Sequence, residues 1–374
     1  MFPGQGSQVR GMGAALFDEF AEITAQADAI LGYSIKELCL EDPRKELDNT
    51  RFTQPALYVV NALSYFKRLK DSDAQPDYLV GHSLGEFNAL LAAQCFSFEV
   101  GLKLVQMRGQ LMSQVSGGGM AAVLNSTPEQ IDAVLKENGL ENVELANFNT
   151  PTQVVISGLK EEVAAAQALL QKGRVLFFPL NTSGAFHTRF LGEAQQEFRA
   201  FLHTFELQAP KIPVISNVTA RPYDSHAVVE TLARQIASPV RWSDSVQYLM
   251  GLASIDDSMQ FEEVGHGDVL TRLVKSIRDY VVKNPPAAQT TSAVKPAVKS
   301  PAVSAEPIAD AVSAEQKVSA WNLRYAVGTK VRSRLMDNID LETRTEALVM
   351  FGFRPAVYLK GYNGYFDIDE IVPA

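Results

Sequence analysis

Tyr78-Leu79-Val80-Gly81-His82-Ser83-Leu84-Gly85-Glu86-Phe87 is the stretch on which the reading of this chain turns. An apolar run ends at Val80, and a helix-like run extends from Phe87 to Gln94. A Gly-x-Ser-x-Gly placed between a strand and a helix is the sequence form of a nucleophile elbow. The turn is so tight that side chains at the glycine positions would collide with neighbouring backbone. Ser83 is then expected to present its hydroxyl at a helix N-terminus, where backbone N–H groups can stabilise an oxyanion. The structural alternative is a plain glycine-bracketed turn.

Outward from this elbow, the bulk numbers fit an enzyme with an ample core. The chain has 374 residues, 46% apolar and 21% charged, as in a globular protein with one large domain and smaller ones. No apolar run approaches membrane-spanning length and no signal-peptide pattern opens the chain, so a cytoplasmic protein is expected. Two cysteines, Cys39 and Cys95, exclude a disulfide framework or a cysteine-rich metal site. A net charge of −9 argues against general affinity for nucleic acid.

From Phe2 to about Lys283, short β-rich runs alternate with helical periodicities, the pattern of an α/β layered domain. Met120–Val123, Val143–Ala146, Gln153–Ser157 and Val175–Leu180 read as strands, with helices over Pro128–Asn138 and Lys160–Lys172. That βαββαβ order is the ferredoxin-like motif. Residues 118–184 are therefore expected to form a subdomain inserted into a core made of 1–117 and 185–283. Residues 284–320 are rich in Ala, Pro, Ser, Val and Lys, the composition of a semi-stiff linker. Order signals return over 321–374, where short strands predict a small, mostly β domain of the SH3-like barrel kind.

A nucleophilic serine needs a base, and the five histidines narrow the choice. His82 adjoins Ser83 and leaves the elbow in another direction, which suits a pocket wall. His203 and His226 lie in polar settings and read as solvated. His266 precedes a helix that Asp268 is placed to cap, a structural or pocket-wall position. His187 follows the apolar strand Val175–Leu180, where an α/β enzyme places catalytic side chains. It is the best-placed base for Ser83. Glu262 or Glu263 could orient it, or a backbone carbonyl could do so and give a dyad. Arg108 reads either as a surface arginine covering apolar area or as a guanidinium fork for a substrate carboxylate. Gln5, between two glycines in Pro3–Gln8, either presents its amide to an active site or belongs to an ordinary polar loop.

Together these pieces resemble the malonyl-CoA:acyl carrier protein acyltransferases. The likeness covers residues 2 to about 280 and rests on PGQGSQ, GHSLGE, QMRG, ANFNTPTQVVISG, GAFH, SNVTA, QIASPVRW and FEEVGHGDVL. GHSLGEFNALLAA with GHGDVL looks most like the free-standing acyltransferases that serve polyketide synthases lacking their own. The resemblance implies an α/β-hydrolase-like core with an inserted ferredoxin-like subdomain. It also implies Ser83 as the acylated nucleophile, His187 as base and later acid, and Gln5 with the Leu84 N–H as oxyanion hole. Arg108 would pair with the malonyl carboxylate, Phe186 would mark malonyl selectivity, and Gln235 would match the family's glutamine near the histidine.

The implied reaction is a ping-pong transfer from malonyl-CoA through a serine ester to the phosphopantetheine thiol of a transiently bound carrier protein. No bound cofactor, metal or nicotinamide is implied, and a monomer is the default. Three departures stand out. The chain begins almost at the PGQGSQ turn, as if the first strand were clipped or the start lay late, which would leave Gln5 less firmly held. Gly265-His266-Gly267 stands where the family more often has Gly-Pro-Gly. The linker and C-terminal domain lie outside the likeness.

An acyl hydrolase of the same fold, clearing stalled acyl groups from carrier proteins, is the alternative; its members typically replace the arginine. A non-catalytic carrier-binding scaffold has no need of Ser83, His187 and Arg108 together. A generic esterase would show a Ser…Asp…His order that this chain lacks.

Overall fold

The computed structural model describes residues 1–182, 184–252, 259–284, 314–333, 341–350, 354–360, 365–368 and 371–373. Two compact units emerge, one built chiefly on Met1–Ile277 and the other chiefly on Arg278–Lys360. The division falls inside the helix Val269–Lys283.

In the larger unit the sheet beneath the elbow is short. Strand β1 (Leu79–Val80) pairs in parallel with β6 (Val214–Ile215), Leu79 opposite Val214 and Val80 opposite Ile215. Phe2 extends it through a parallel bridge to Gly81, with Phe2 N donating to Val80 O at 3.0 Å and His82 N to Phe2 O at 3.0 Å. The residues just before the Pro3–Gln8 turn thus supply the missing strand contact. Around this sheet the core is mainly helical, where the sequence pattern had pointed to regular alternation of β and α. Long apolar runs such as Ala56–Leu63 lie inside a helix, because a buried helix is apolar on most of its faces.

That helix, Thr50–Asp71, starts at Asn49, whose side chain accepts from Arg51 N. The helix Phe98–Gln114 starts at Ser97, whose side chain accepts from Val100 N. The two pack closely because residue 101 is glycine: a Cβ there would lie 2.0 Å from the Tyr58 hydroxyl. Tyr58 stacks on Phe98 at 5.7 Å and donates to Phe98 O at 3.1 Å. This approach sets Gln54 on one helix against Arg108 on the other.

Four antiparallel strands form a second sheet: β2 (Gly118–Leu124), β3 (Val143–Thr150), β4 (Gln153–Leu159) and β5 (Leu176–Pro179), in the order β3-β4-β2-β5. That is the strand order of the ferredoxin-like motif, with the helices Pro128–Glu137 and Lys160–Leu170 between strands. The first helix opens with a capping box between Thr127 and Gln130. One sheet face buries Ala121, Val123, Val154, Ile156 and Phe177 against Ile131, Leu135, Val163 and Leu170, each of these side chains larger than alanine contributing about 1.5–3 kcal/mol. The alternate residues, Met120, Ala122 and Val155, face the candidate site. Register shifts after Leu145 and Phe148 locally interrupt the alternation along β3, and Asn147 and Asn149 line that site as well.

Among the described residues, the smaller unit carries a helix, Ala314–Arg324, and six short strands. Strands β7 (Lys330–Ser333), β8 (Leu341–Glu342) and β12 (Ile371–Pro373) form one sheet in the order β12-β7-β8. Strands β9 (Leu348–Met350), β10 (Arg354–Tyr358) and β11 (Tyr365–Asp367) form another in the order β11-β10-β9. The helix begins within the span assigned to the linker on composition. Its run Ala-Glu-Gln-Lys is made of good helix formers, and Asn322 brackets Ala347, donating to its carbonyl at 2.8 Å and accepting from its N–H at 2.7 Å. The rest of the expected linker, 285–313, lies outside the described residues. No described helix is long and apolar enough to cross a membrane.

Candidate active site

Ser83 sits between β1 and the helix Gly85–Ala92 with φ 50°, a left-handed conformation that costs a serine about 1–3 kcal/mol. Glycine at the flanks makes the turn possible. A Cβ on Gly81 would lie 1.9 Å from the Gly85 carbonyl carbon, and one on Gly85 would lie 2.0 Å from Phe2 O.

Ser83 Oγ is 2.8 Å from His187 Nε2. On the far side of the ring, Nδ1 is 3.1 Å from Gln235 O and 3.1 Å from Ser238 O. Two carbonyls can only accept, so Nδ1 carries the proton and Nε2 is free to accept from the serine hydroxyl. Burial, reinforced by the Arg108 charge, lowers the His187 pKa to about 3, so the imidazole is neutral at pH 7. Neither carboxylate considered from sequence reaches it. Glu262 pairs with Arg68 at 2.8 Å. Glu263 accepts from the N–H groups of Leu270 and Thr271, capping the helix in the place expected for Asp268, and Asp268 pairs with Arg272. The orienting group is backbone.

Arg108 is not on the surface: it is 1% exposed. Nη1 donates to Gln54 Oε1 at 2.7 Å, and Nη2 donates to Gln235 Oε1 at 2.9 Å and to Ser83 Oγ at 3.1 Å. Its Nε has no partner among the described residues. Burial lowers its pKa to about 10, with the Glu86 charge opposing, and the guanidinium stays charged at neutral pH. Gln235 also donates its Nε2 to Ser83 O at 2.7 Å. A proton acceptor, a hydroxyl and a buried cation therefore converge on one cavity of about 250 Å³.

Residues 1–294 match the acyl transferase domain family. The chain is 55% identical over 280 residues to the polyketide biosynthesis malonyl CoA-acyl carrier protein transacylase PksC of Bacillus subtilis (strain 168), covering 74% of this chain and 96% of that protein. The crystal structure of a malonyl CoA-acyl carrier protein transacylase from Burkholderia pseudomallei is 60% identical, with a TM-score of 0.74 over 77% of this chain and 98% of that one. A malonyl-transacylase solved in complex with a type II PKS acyl-carrier protein is 33% identical, with a TM-score of 0.70 over 74% and 92%. The chain belongs to the malonyl-CoA:acyl carrier protein transacylase family.

The remaining expected site residues of this transacylase also line the cavity: Gln5, His82, Leu84 and Phe186. The Gln5 side chain is turned to Thr50, its Nε2 donating to Oγ1 at 3.1 Å, so its amide is not aimed at Ser83. The backbone N–H groups of Gln5 and Leu84 donate to no protein acceptor among the described residues. The turn that carries Gln5 is held by Asn61, which donates to Pro3 O at 2.9 Å. His82 Nε2 lies 2.8 Å from Asn149 Oδ1, its ring packs 5.6 Å from Trp242, and desolvation lowers its pKa. Phe186 is buried against Gly184, where a Cβ would lie 2.4 Å from its ring.

Of the other histidines, His203 pairs with Glu230 at the surface, His226 is exposed, and His266 lies outside the cavity lining. Cys39 and Cys95 are buried, which pushes both thiols up. No cluster of three or more metal-ligating side chains occurs among the described residues.

Sequence reasoning gave no role to Gln54, Glu86, Asn217 or Tyr223. Gln54 is fully buried, and its partner is on another helix, so nothing local in the sequence flags it. Glu86 and Asn217 belong to motifs that carried the family likeness without a stated job.

Proposed function

We propose that this chain transfers the malonyl group of malonyl-CoA to the phosphopantetheine thiol of an acyl carrier protein, acting in trans for polyketide synthases without an acyltransferase of their own. The observation that carries this reading is Arg108 Nη2, buried and charged, 3.1 Å from the hydroxyl of Ser83. A carboxylate close to the reacting carbonyl can pair with that cation while the acyl group is attached to Ser83. The relatives PksC and BaeC, named as polyketide biosynthesis malonyl CoA-acyl carrier protein transacylases and matched over 96% and 98% of their own length, support the assignment to polyketide biosynthesis.

In the first half-reaction, Ser83 Oγ gives its proton to His187 Nε2 and attacks the thioester carbonyl. The oxyanion is held by the N–H groups of Gln5 and Leu84. The carbon–sulfur bond breaks, and His187 returns the proton to the departing thiolate of coenzyme A. In the second, the carrier's thiol gives its proton to His187 and attacks the malonyl-serine ester. Ser83 Oγ leaves and takes that proton back.

Selectivity follows from the same cation. Acetyl-CoA leaves the guanidinium without a carboxylate in a buried site, a difference of about 2–4 kcal/mol. Phe186 beside His187 narrows the space for a branched acyl group, favouring malonyl over methylmalonyl.

The test is intact-mass spectrometry after brief incubation with malonyl-, methylmalonyl- or acetyl-CoA, followed by addition of a holo carrier protein. A malonyl adduct that moves to the carrier is the expected result. Failure to hold malonate, with release of acyl groups from a preloaded carrier, would overturn it in favour of hydrolysis.

A further inference from the structure

Glu86 and Asn217 are fully buried polar residues, absent from the cavity lining, that the reaction as written does not use. Asn217 has all four of its polar groups engaged. Its side-chain Oδ1 accepts from Ser83 N at 2.7 Å, and its Nδ2 donates to Gly81 O at 2.7 Å. Its backbone N–H donates to Glu86 Oε2 at 2.6 Å, and its carbonyl accepts from Arg241 N at 3.0 Å. Only this orientation of the amide matches donor to acceptor on both sides. One side chain from beyond β6 therefore clamps the elbow on both sides of His82, at the carbonyl of Gly81 and the N–H of Ser83.

Glu86 closes the loop from the other direction. It stands in the first turn of the helix that the elbow opens. Its second carboxylate oxygen accepts from the Tyr223 hydroxyl. The helix after Ser83 is in this way tied to the segment that holds Ser83.

We propose that Asn217, held in place by Glu86, is the positioning residue of the elbow: it keeps Ser83 in its left-handed conformation and leaves the adjacent Leu84 N–H facing the cavity. A serine at φ 50° is strained and persists only where its surroundings over-determine it. Without Asn217, the Ser83 N–H has no partner in that conformation, and the peptide that follows is free to rotate. The hydroxyl and the Leu84 N–H then lose their common aim at the reacting carbonyl. The arrangement also links the elbow to the base, because Arg241 lies three residues past Ser238, whose carbonyl orients His187.

This inference rests on Ser83 being the acylated residue, and the experiment separates the two. The rate of malonyl-serine formation is followed by rapid-quench mass spectrometry, per folded molecule, alongside the KM for malonyl-CoA. Asn217→Ala is expected to slow acylation about a hundredfold while changing KM far less, since Arg108 keeps its Gln54 and Gln235 partners. Glu86→Ala is expected to be slow as well. Glu86→Gln recovers at least about tenfold of that loss, because its carbonyl can accept from Asn217 N–H and its amide can donate to the Tyr223 oxygen. Acylation by Asn217→Ala at the parent's rate overturns the proposal. If Asn217→Ala does not fold, the Glu86 pair decides: equal rates for the alanine and glutamine variants overturn it. A parent protein that forms no adduct at Ser83 overturns the reading beneath it instead.

Discussion

Gln235 and Ser83 lie 152 positions apart in the chain, yet the Gln235 amide donates to the Ser83 carbonyl at 2.7 Å. The same glutamine accepts from Arg108 through Oε1 and from His187 Nδ1 through its backbone carbonyl. One residue therefore touches the nucleophile candidate, the base candidate and the cation, and its side chain and backbone do separable jobs.

Gln235→Ala removes the first two contacts and keeps the third. Acylation by malonyl-CoA is expected to fall about a hundredfold, the scale of a misplaced reacting group. The pH dependence of the remaining rate should match the parent's, because the carbonyl that holds His187 is still there. Single-turnover acylation across a pH series checks both statements. A shifted profile would mean that the side chain also governs the base.

Arg108→Ala is expected to lower kcat/KM for malonyl-CoA by about 30- to 900-fold, the kinetic equivalent of about 2–4 kcal/mol. Acetyl-CoA, which has no carboxylate to lose, should be used as well as before or better. Parallel acylation assays with the two thioesters decide this. An equal fall for both would assign Arg108 a structural role only.

The sequence carried the candidate site residues and little of what holds them. Ser83 was readable from the glycines at the strand end before it, His187 as the histidine in the loop that follows an apolar strand, and Arg108 and Gln235 because they stand in family motifs. Only its burial separates the two readings of Arg108, since spacing along the helix Phe98–Gln114 says nothing about the neighbouring helix. Gln54 was invisible for the same reason: its job is defined by a close approach that Gly101 permits. The four strands of the second sheet were legible in place, because their apolar alternation is local, but β3 runs on to Thr150, four residues past the reading, where register shifts break that alternation. The core sheet was not, because two-residue strands leave no periodicity to read. The orienting group for His187 is a carbonyl, and backbone atoms have no sequence signature.

His187 should remain a competent base well below the pH at which a free imidazole is lost. Its pKa is lowered to about 3 by burial and by Arg108, and kcat/KM reports the free enzyme. The malonyl-CoA acylation rate should therefore show no inflection from this histidine near pH 6.5. Its protonation, which removes the acceptor for the Ser83 proton, sets in only as the pH falls toward 3. A pH–rate profile with a histidine limb at 6.5, abolished in His187→Ala, would contradict the buried neutral imidazole.

The stability of the protein against pH should reveal two opposed buried groups. Glu86 is raised by desolvation from its usual 4.5 to about 7. Between those values the folded state holds a proton that the unfolded state has released, so its contribution is full below about 4.5 and is lost as the pH rises through 7. His187 runs the other way. Between about 3 and 6.5 the unfolded chain binds a proton that the folded state refuses, so stability is lost as the pH falls from 6.5 toward 3. Each slope approaches about 1.4 kcal/mol per pH unit, and from 4.5 to 6.5 the two oppose each other. Urea unfolding at pH 4.5, 5.5 and 6.5 separates them. Glu86→Gln should grow more stable with rising pH relative to the parent, and His187→Gln less stable. Parallel lines for all three proteins would show that neither group titrates differently in the folded and unfolded states, and that the buried environment around the elbow is more polar than its packing implies.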